Sequence, residues 1–213
     1  MPNKNVVKKT NIRRRSDKGE NTAQLFLAAA ETILIDQGYA NLSMRKVANL
    51  AGLTLGNLQY YFPSKEALVN TLLDNCIQGY LDRFERIRAH AGTDPEEQFR
   101  SLIKDILLDL NTKKTTVFFP EVWSLANHDK TTSKSLDNMY QKYRLVLIEV
   151  ITLINPALSN EQVRRAALFF SASMEGHTIF IGHDKPWKKE TMAIIQMATE
   201  SFLWLIKSKH IPI

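Results

Sequence analysis

The chain has 213 residues, 44% of them hydrophobic and 23% charged; this excludes a disordered polymer and leaves enough chain to bury a real core in one large domain, or in a small one plus a larger one. Its formal charge of +6 is concentrated at the start, where residues 1–20 carry seven basic side chains against two acids while the remainder holds 21 basic and 20 acidic ones. Cys76 is the single cysteine, which excludes an intrachain disulfide, and the best apolar stretches, 25–35 and 145–154, are broken by Glu31 and Glu149 and fall short of the ~20 apolar residues that cross a bilayer.

Apolar residues recur at the helical period almost throughout, and no run alternates like a strand. The basic stretch 1–20 reads as a solvated, disordered arm with an attraction for polyphosphate; no long apolar run follows it as in a secretory signal, so a cytoplasmic location is expected. A first helix is predicted over 22–37, with Phe26, Ala30, Ile33, Leu34 and Gln37 on one face and Gly38 as its stop. Ser43 caps a short second helix over 44–51, and Gly52 breaks it. Thr54 caps a third helix that cannot pass Phe62, because Pro63 disfavours helix in the residue before it. Ser64 caps a long fourth helix reaching about residue 90. The run Asp94-Pro95-Glu96-Glu97 then starts a fifth, ending near 111. A shorter segment is expected over 120–128 and a long helix over 132–154, closed by Asn155-Pro156. Ser159 with Gln162 forms a capping box for a helix to about 182, and the last helix occupies roughly 188–209.

Within this all-α order the stretch 43–62, SMRKVANLAGLTLGNLQYYF, carries the most information. A helix-turn-helix needs a small residue where its helices cross, a glycine in the tight turn, and apolar residues pinning both helices to a third. Val47 and Ala48 stand at the buried contacts, Gly52 at the turn, and Leu53 and Leu58 at the pins.

These residues resemble the N-terminal domain of the tetracycline-repressor (TetR) family. The resemblance runs from about residue 22 to 73, through Phe26, Ala29-Ala30, Leu34, Gly38, Ser43-Met44-Arg45-Lys46-Val47-Ala48, Ala51-Gly52-Leu53-Thr54, Gly56-Asn57-Leu58 and Tyr60-Tyr61-Phe62-Pro63-Ser64-Lys65-Glu66-Ala67-Leu68. Beyond it only helix order and length match, with a Met174-Glu175-Gly176 step similar to one in the family's later helices. The resemblance implies an all-α protein in three parts: a basic arm (1–20), a three-helix helix-turn-helix DNA-binding domain (21–66), and a C-terminal helical bundle for ligand binding and dimerisation (67–213).

With the third helix in a major groove, Thr54, Leu55, Asn57, Gln59 and Tyr60 face bases or flanking phosphates. Asn57 and Gln59 match adenine edges, Leu55 a thymine methyl, and Gly56 admits the backbone closely. Ser43, Arg45, Tyr61 and Lys65 are expected to hold phosphates. Gln59 and Tyr61 depart from the tyrosine and histidine common at these places in the family. Residues 21–66 hold three basic and three acidic side chains, so the arm is expected to supply the charge that follows the DNA backbone or enters the minor groove.

The last two helices are apolar on more than one face. Met192, Ile195, Phe202 and Ile206 lie along one side and Ala193, Met197 and Trp204 along another, while Phe169, Phe170, Ser173, Met174, Ile179 and Phe180 likewise exceed one stripe. A two-fold four-helix interface between two copies is therefore expected, which a palindromic operator also requires. The resemblance implies an effector cavity inside the bundle, among bulky residues that include Cys76, Tyr80, Phe84 and Phe99. Candidate lining residues are Phe118, Phe119, Met139, Phe170 and Met174, with Trp123, His128, Tyr143, Glu175 and His177 as polar anchors. The fourth helix is the expected lever between head and bundle.

The five histidines form no i, i+4 pair, and no nucleophile elbow, phosphate loop or paired catalytic carboxylate stands in the sequence. No enzyme activity, cofactor or metal is therefore expected. The expected function is a repressor released from double-stranded operator DNA by a small-molecule effector. The competing reading is an architectural or cell-division DNA binder whose bundle docks a protein partner.

Overall fold

Helix signals become helices almost everywhere in the computed structural model, which describes the backbone of residues 6–208 and 210–212, with side chains from residue 19 onward. Among the described residues there are ten α-helices and no strand. The chain divides into two compact units, Met1–Leu72 and Leu73–Ile213.

The first unit contains α1 (Val6–Gln37), α2 (Met44–Leu50), α3 (Leu55–Tyr61) and the first two turns of α4 (Lys65–His90). Helices α2, α3 and α4 each start on a hydroxyl that accepts an otherwise orphan backbone N–H: Ser43 from Lys46 at 3.3 Å, Thr54 from Asn57 at 3.2 Å, and Ser64 from Ala67 at 3.1 Å. Gly38 ends α1 at φ 79° and Gly52 turns the chain between α2 and α3 at φ 69°, a region where a Cβ is strained. A 3-10 turn, Tyr39–Asn41, fills the gap after α1. Phe26, Ala30 and Leu34 of α1 bury against Val47 and Ala48 of α2 and Leu58 of α3, whereas Leu53 is half-buried. Burying each large member of that set stabilises the unit by about 1.5–3 kcal/mol.

Helix α1 starts well before the expected residue 22, so most of the stretch read as a disordered arm has helical backbone. No proline or glycine interrupts residues 6–18, and lysine and arginine are good helix formers, so a helix anchored further on propagates backward at little cost. The side chains of residues 1–18, and the DNA contact expected of them, lie outside the described residues.

The second unit continues α4 and adds α5 (Pro95–Asp109), α6 (Lys113–Ala126), α7 (Lys130–Ile154), α8 (Asn160–Gly176), the single turn α9 (Thr178–Ile181) and α10 (Thr191–Lys207). Asp94 caps α5 with Pro95 in its first turn, Asp129 caps α7 through Thr132 N–H at 2.6 Å, and Ser159 with Gln162 closes the capping box of α8. Helix α7 is central and packs on α5, α6 and α8, while α10 lies along α5. Phe170 of α8 stacks on Phe202 of α10 at 4.2 Å and meets Phe99 of α5 at 6.0 Å.

In the second unit three further boundaries differ from the sequence reading. Helix α6 starts at Lys113 rather than at Pro120, because the Thr112 hydroxyl takes the N–H of Thr115 at 3.1 Å; Pro120 is carried inside the helix. The helix expected to reach 182 stops at Gly176 and resumes as α9, and a 3-10 turn, Lys188–Glu190, precedes α10. Met192, expected beside Ile195, Phe202 and Ile206, is exposed while those three are buried. It is the second residue of α10, where the helix begins.

Candidate functional site

Two places concentrate the predicted site residues, one in each unit. In the first, α3 is pinned through Leu58, which is fully buried, and this turns Gly56, Gln59 and Tyr60 outward. Tyr60 is 82% exposed, a large aromatic left in water and set edge to face with the Tyr61 ring, centroids 5.2 Å apart. Thr54 is also exposed, and Leu55 and Asn57 are half-buried. The cap of Thr54 on the Asn57 N–H leaves the amide side chain of Asn57 clear of that bond. Gly56 has open space where a Cβ would stand. Ser43 and Arg45 are exposed at the start of α2, beside Lys46, whose Nζ donates to Gln37 Oε1 at 3.3 Å.

Two expected phosphate holders already have protein partners. Lys65 Nζ donates to the Tyr39 carbonyl at 2.7 Å and sits 3.5 Å above the Tyr39 ring, and Tyr61 packs between Phe26 and Phe62. Both therefore brace the unit.

In the second unit a cavity of about 40 Å³ opens between α4, α5, α6, α7 and α8. Its apolar wall is Ile77, Phe84, Ile106, Leu110, Phe119 and Met139, and its polar groups belong to Tyr80, Asp109, Thr115, Tyr140, Tyr143 and Glu175. Asp109 Oδ2 accepts from the hydroxyls of Tyr80 and Thr115 at 2.6 Å each, and its Oδ1 accepts from Arg83 Nη1 at 2.9 Å. Arg83 also pairs with Asp105 at 2.7 Å. Burial pushes the Asp109 carboxyl up, but these three donors outweigh it and hold the group below the usual carboxylate range.

Glu175 is placed differently. Its surface is partly exposed, but its carboxyl lies in the cavity wall, where burial pushes it up to about 7 against the pull of one hydrogen bond from the Tyr140 hydroxyl. That hydroxyl in turn accepts the indole N–H of Trp123 at 2.9 Å. The Tyr143 hydroxyl is buried and finds no protein hydrogen-bond partner. Burial, with the charge of nearby acids, keeps all three phenols protonated far above neutrality.

Of the predicted lining residues, Phe119, Met139, Tyr143 and Glu175 meet at this cavity, and Trp123 stands one hydrogen bond behind it. Phe170 is instead committed to the stack between α5, α8 and α10. Phe118 and Met174 are buried away from the lining, His177 is half-buried outside it, and His128 is exposed beyond the end of α6. Burial in an environment without a carboxylate partner lowers the His177 pKa. Sequence reasoning missed Tyr80 as an anchor, and it missed Asp109, Thr115 and Tyr140 altogether. A usable signal was there: Asp105 and Asp109 repeat at i, i+4 on the same side of α5 as Ile106 and Leu110, and an acid on an apolar face demands donors.

Among the described residues no helix is long and apolar enough to cross a membrane, and no three His, Cys, Asp or Glu side chains come together as metal ligands. Fourteen large hydrophobic side chains of the described residues are nevertheless exposed, and Leu168 and Phe169 of α8 with Met197 and Trp204 of α10 are among them.

Comparison with known proteins places this geometry. Residues 26–72, which span the buried face of α1, the α2–turn–α3 unit and the start of α4, match the family described as "Bacterial regulatory proteins, tetR family". The chain is 30% identical over 145 residues, 67% of its length and 70% of the relative's, to the "Uncharacterized HTH-type transcriptional regulator in dhlA 5'region" of Xanthobacter autotrophicus. It is 25% identical to the HTH-type transcriptional regulator BetI of Stenotrophomonas maltophilia, over 72% of this chain and 76% of that one. The fold is also that of a putative TetR-family transcriptional regulator from Mesorhizobium loti, with TM-score 0.73, 16% identity, and 88% and 97% of the two chains covered. Salmonella enterica GusR shares it at TM-score 0.68 and 17% identity, over 88% and 96%. With the helix-turn-helix of α2 and α3 set on a glycine turn and hydroxyl caps, the chain belongs to the tetR family of bacterial regulatory proteins and is a DNA-binding transcriptional regulator.

Proposed function

We propose that the protein is a homodimeric repressor that reads a palindromic operator with α3 and leaves it when a small molecule occupies the cavity of the second unit. The observation that carries this reading is the exposed face of α3, where Thr54, Gly56, Gln59 and Tyr60 are presented by a helix whose opposite side is pinned through Leu58. A helix held from behind keeps its register against base edges, and Gln59 has the paired donor and acceptor that an adenine edge requires. Arg45 and Ser43 supply backbone contacts, and Lys65 and Tyr61 add to them only by sharing their present partners.

Exposed apolar side chains on α8 and α10 support the dimer. Phe169 is 55% exposed, Met197 66% and Trp204 63%, and large apolar side chains gathered in water are a mark of protein interfaces. A two-fold axis through α8 and α10 covers these side chains on both copies at once. An effector that prefers one arrangement of the dimer over the DNA-matched one shifts the population between them.

Footprinting at controlled salt on the DNA flanking the protein's own gene tests the proposal. The expected result is a protected palindrome with half-sites about one helical turn apart or a multiple of it. Gln59→Ala is expected to relax preference at one base position of each half-site. Weak binding blind to sequence overturns the repressor reading.

A further inference from the structure

The polar groups around the cavity are unevenly compensated. Asp109 is saturated by two hydroxyls and the Arg83 guanidinium. Glu175 has the Tyr140 hydroxyl, and no basic side chain lines the cavity. Tyr143, in the same wall, buries a hydroxyl that meets no protein partner. Around these two groups the wall is aromatic: Tyr80 and Phe119 face each other with ring centroids 6.3 Å apart, and Tyr140 and Tyr143 lie 6.3 Å apart edge to face. Aromatic faces carry negative potential, so they add to a carboxylate rather than oppose it, and both attract a positive charge.

We propose that the cavity takes an organic cation, a positively charged nitrogen on an aromatic or aliphatic body, with its charge against the Glu175 carboxylate and its faces against Tyr80, Phe119, Tyr140 and Tyr143. This rests on reading the second unit as the effector-binding bundle and adds the chemical class of the effector. A neutral ligand of the same shape leaves Glu175 without a counter-charge, and an anion is repelled by Glu175 and Asp109 together. The cavity of about 40 Å³ admits only a few waters. A cation of ring size therefore enters by drawing its walls apart, and this is the differential affinity that a release mechanism requires. The Tyr143 hydroxyl gains its first acceptor or donor in that widened site.

The test is calorimetric titration of the full chain at pH 7.5 with three ligands on one benzyl body: benzyltrimethylammonium, its neutral carbon isostere neopentylbenzene, and the smaller anion phenylacetate. The cation is expected to bind about tenfold or more tighter than the isostere, the anion weakest of all, and Glu175→Gln to remove most of the cation's advantage and leave only the part the aromatic faces supply. Equal or tighter binding of the isostere or the anion by the unaltered protein overturns the inference, and this ranking decides even where the variant fails to fold. Operator footprinting on the same preparation separates the two failures. A protein that reads its operator and takes the neutral isostere by preference keeps the effector reading and loses the cation. One that reads its operator and takes none of the three loses both the cation and the cavity as effector site.

Discussion

At Glu175 the balance between burial and a single hydrogen bond has a measurable consequence. An acid with a folded pKa of about 7, raised from 4.5, holds more protons folded than unfolded between those values. Stability therefore falls as pH rises through that window and stays low above it. Tyr80 and Cys76 on α4, Asp109 on α5, and Tyr140, Tyr143 and Arg144 on α7 share this environment, whereas His177, beyond α8, stands outside it. His177, with its lowered pKa, gives a slope of the opposite sign near pH 6.5, so the variant must be compared with the parent at each pH. Urea denaturation of Glu175→Gln should match the parent near pH 5 and exceed it by on the order of 2 kcal/mol near pH 8. A constant difference across pH would place the charge elsewhere. Gly52 makes a second residue-scale prediction: its φ of 69° strains any L side chain, although nothing stands within 4 Å of a Cβ there. Gly52→Ala should lower stability by about 1 kcal/mol through backbone strain alone, visible as a lower Tm.

Among the elements, α3 is short enough that its ends decide whether it exists. Seven residues, Leu55–Tyr61, are far below what holds an isolated helix in water, so the Thr54 cap and the Leu58 pin carry it. Thr54→Ala should cost about 1 kcal/mol, read by thermal denaturation, and should weaken operator binding further by fraying the reading face. Thr54→Ser keeps the acceptor and should restore most of the stability. Helix α6 shows the opposite case, in which an early cap overrides a strong local signal. Pro120 looks like a first-turn proline in sequence, but Thr112 starts the helix sooner and Pro120 falls in its interior. Helix α8 ends where Gly176 follows Glu175, which sets the one uncompensated acid of the cavity at the end of a rigid element.

Charge and symmetry act on the whole molecule. The described body is nearly neutral, and seven basic side chains sit within residues 1–20. Each phosphate that they neutralise adds about 0.9 to the dependence of log affinity on log salt. Removing residues 1–20 should therefore flatten that dependence, measured by operator titration over a range of salt; an unchanged slope would assign the charge to Arg45 and Lys46 instead. The exposed apolar side chains on α8 and α10 predict that Phe169→Glu raises the dimer dissociation constant at least roughly tenfold, since a buried aromatic anchor contributes about 2 kcal/mol or more. Sedimentation at several concentrations reads this directly, and a chain that is monomeric before substitution would remove the two-fold reading.

Local chemistry made the head and the helix order legible from sequence alone. Ser43, Gly52, Thr54 and Pro63 act on their immediate neighbours through caps, a positive φ and a forbidden helix residue, so their consequences are written within a few positions of each. The buried set Phe26, Ala30, Leu34, Val47, Ala48 and Leu58 followed from the helical period, because one face of each helix had to be covered. The cavity was only half legible. Phe119, Met139, Tyr143 and Glu175 could be picked as bulky or polar residues of the later helices, but Asp109, Thr115, Tyr80 and Tyr140 join them from different helices. Their meeting depends on which faces of α4 to α8 turn toward one another, and pairwise packing settles that rather than any local period. Likewise the periodicity marked α8 and α10 as apolar on several sides, while only the tertiary packing decided that Phe170 and Phe202 close the core and Phe169 and Trp204 are left in water, because burying one face of a helix uncovers the other.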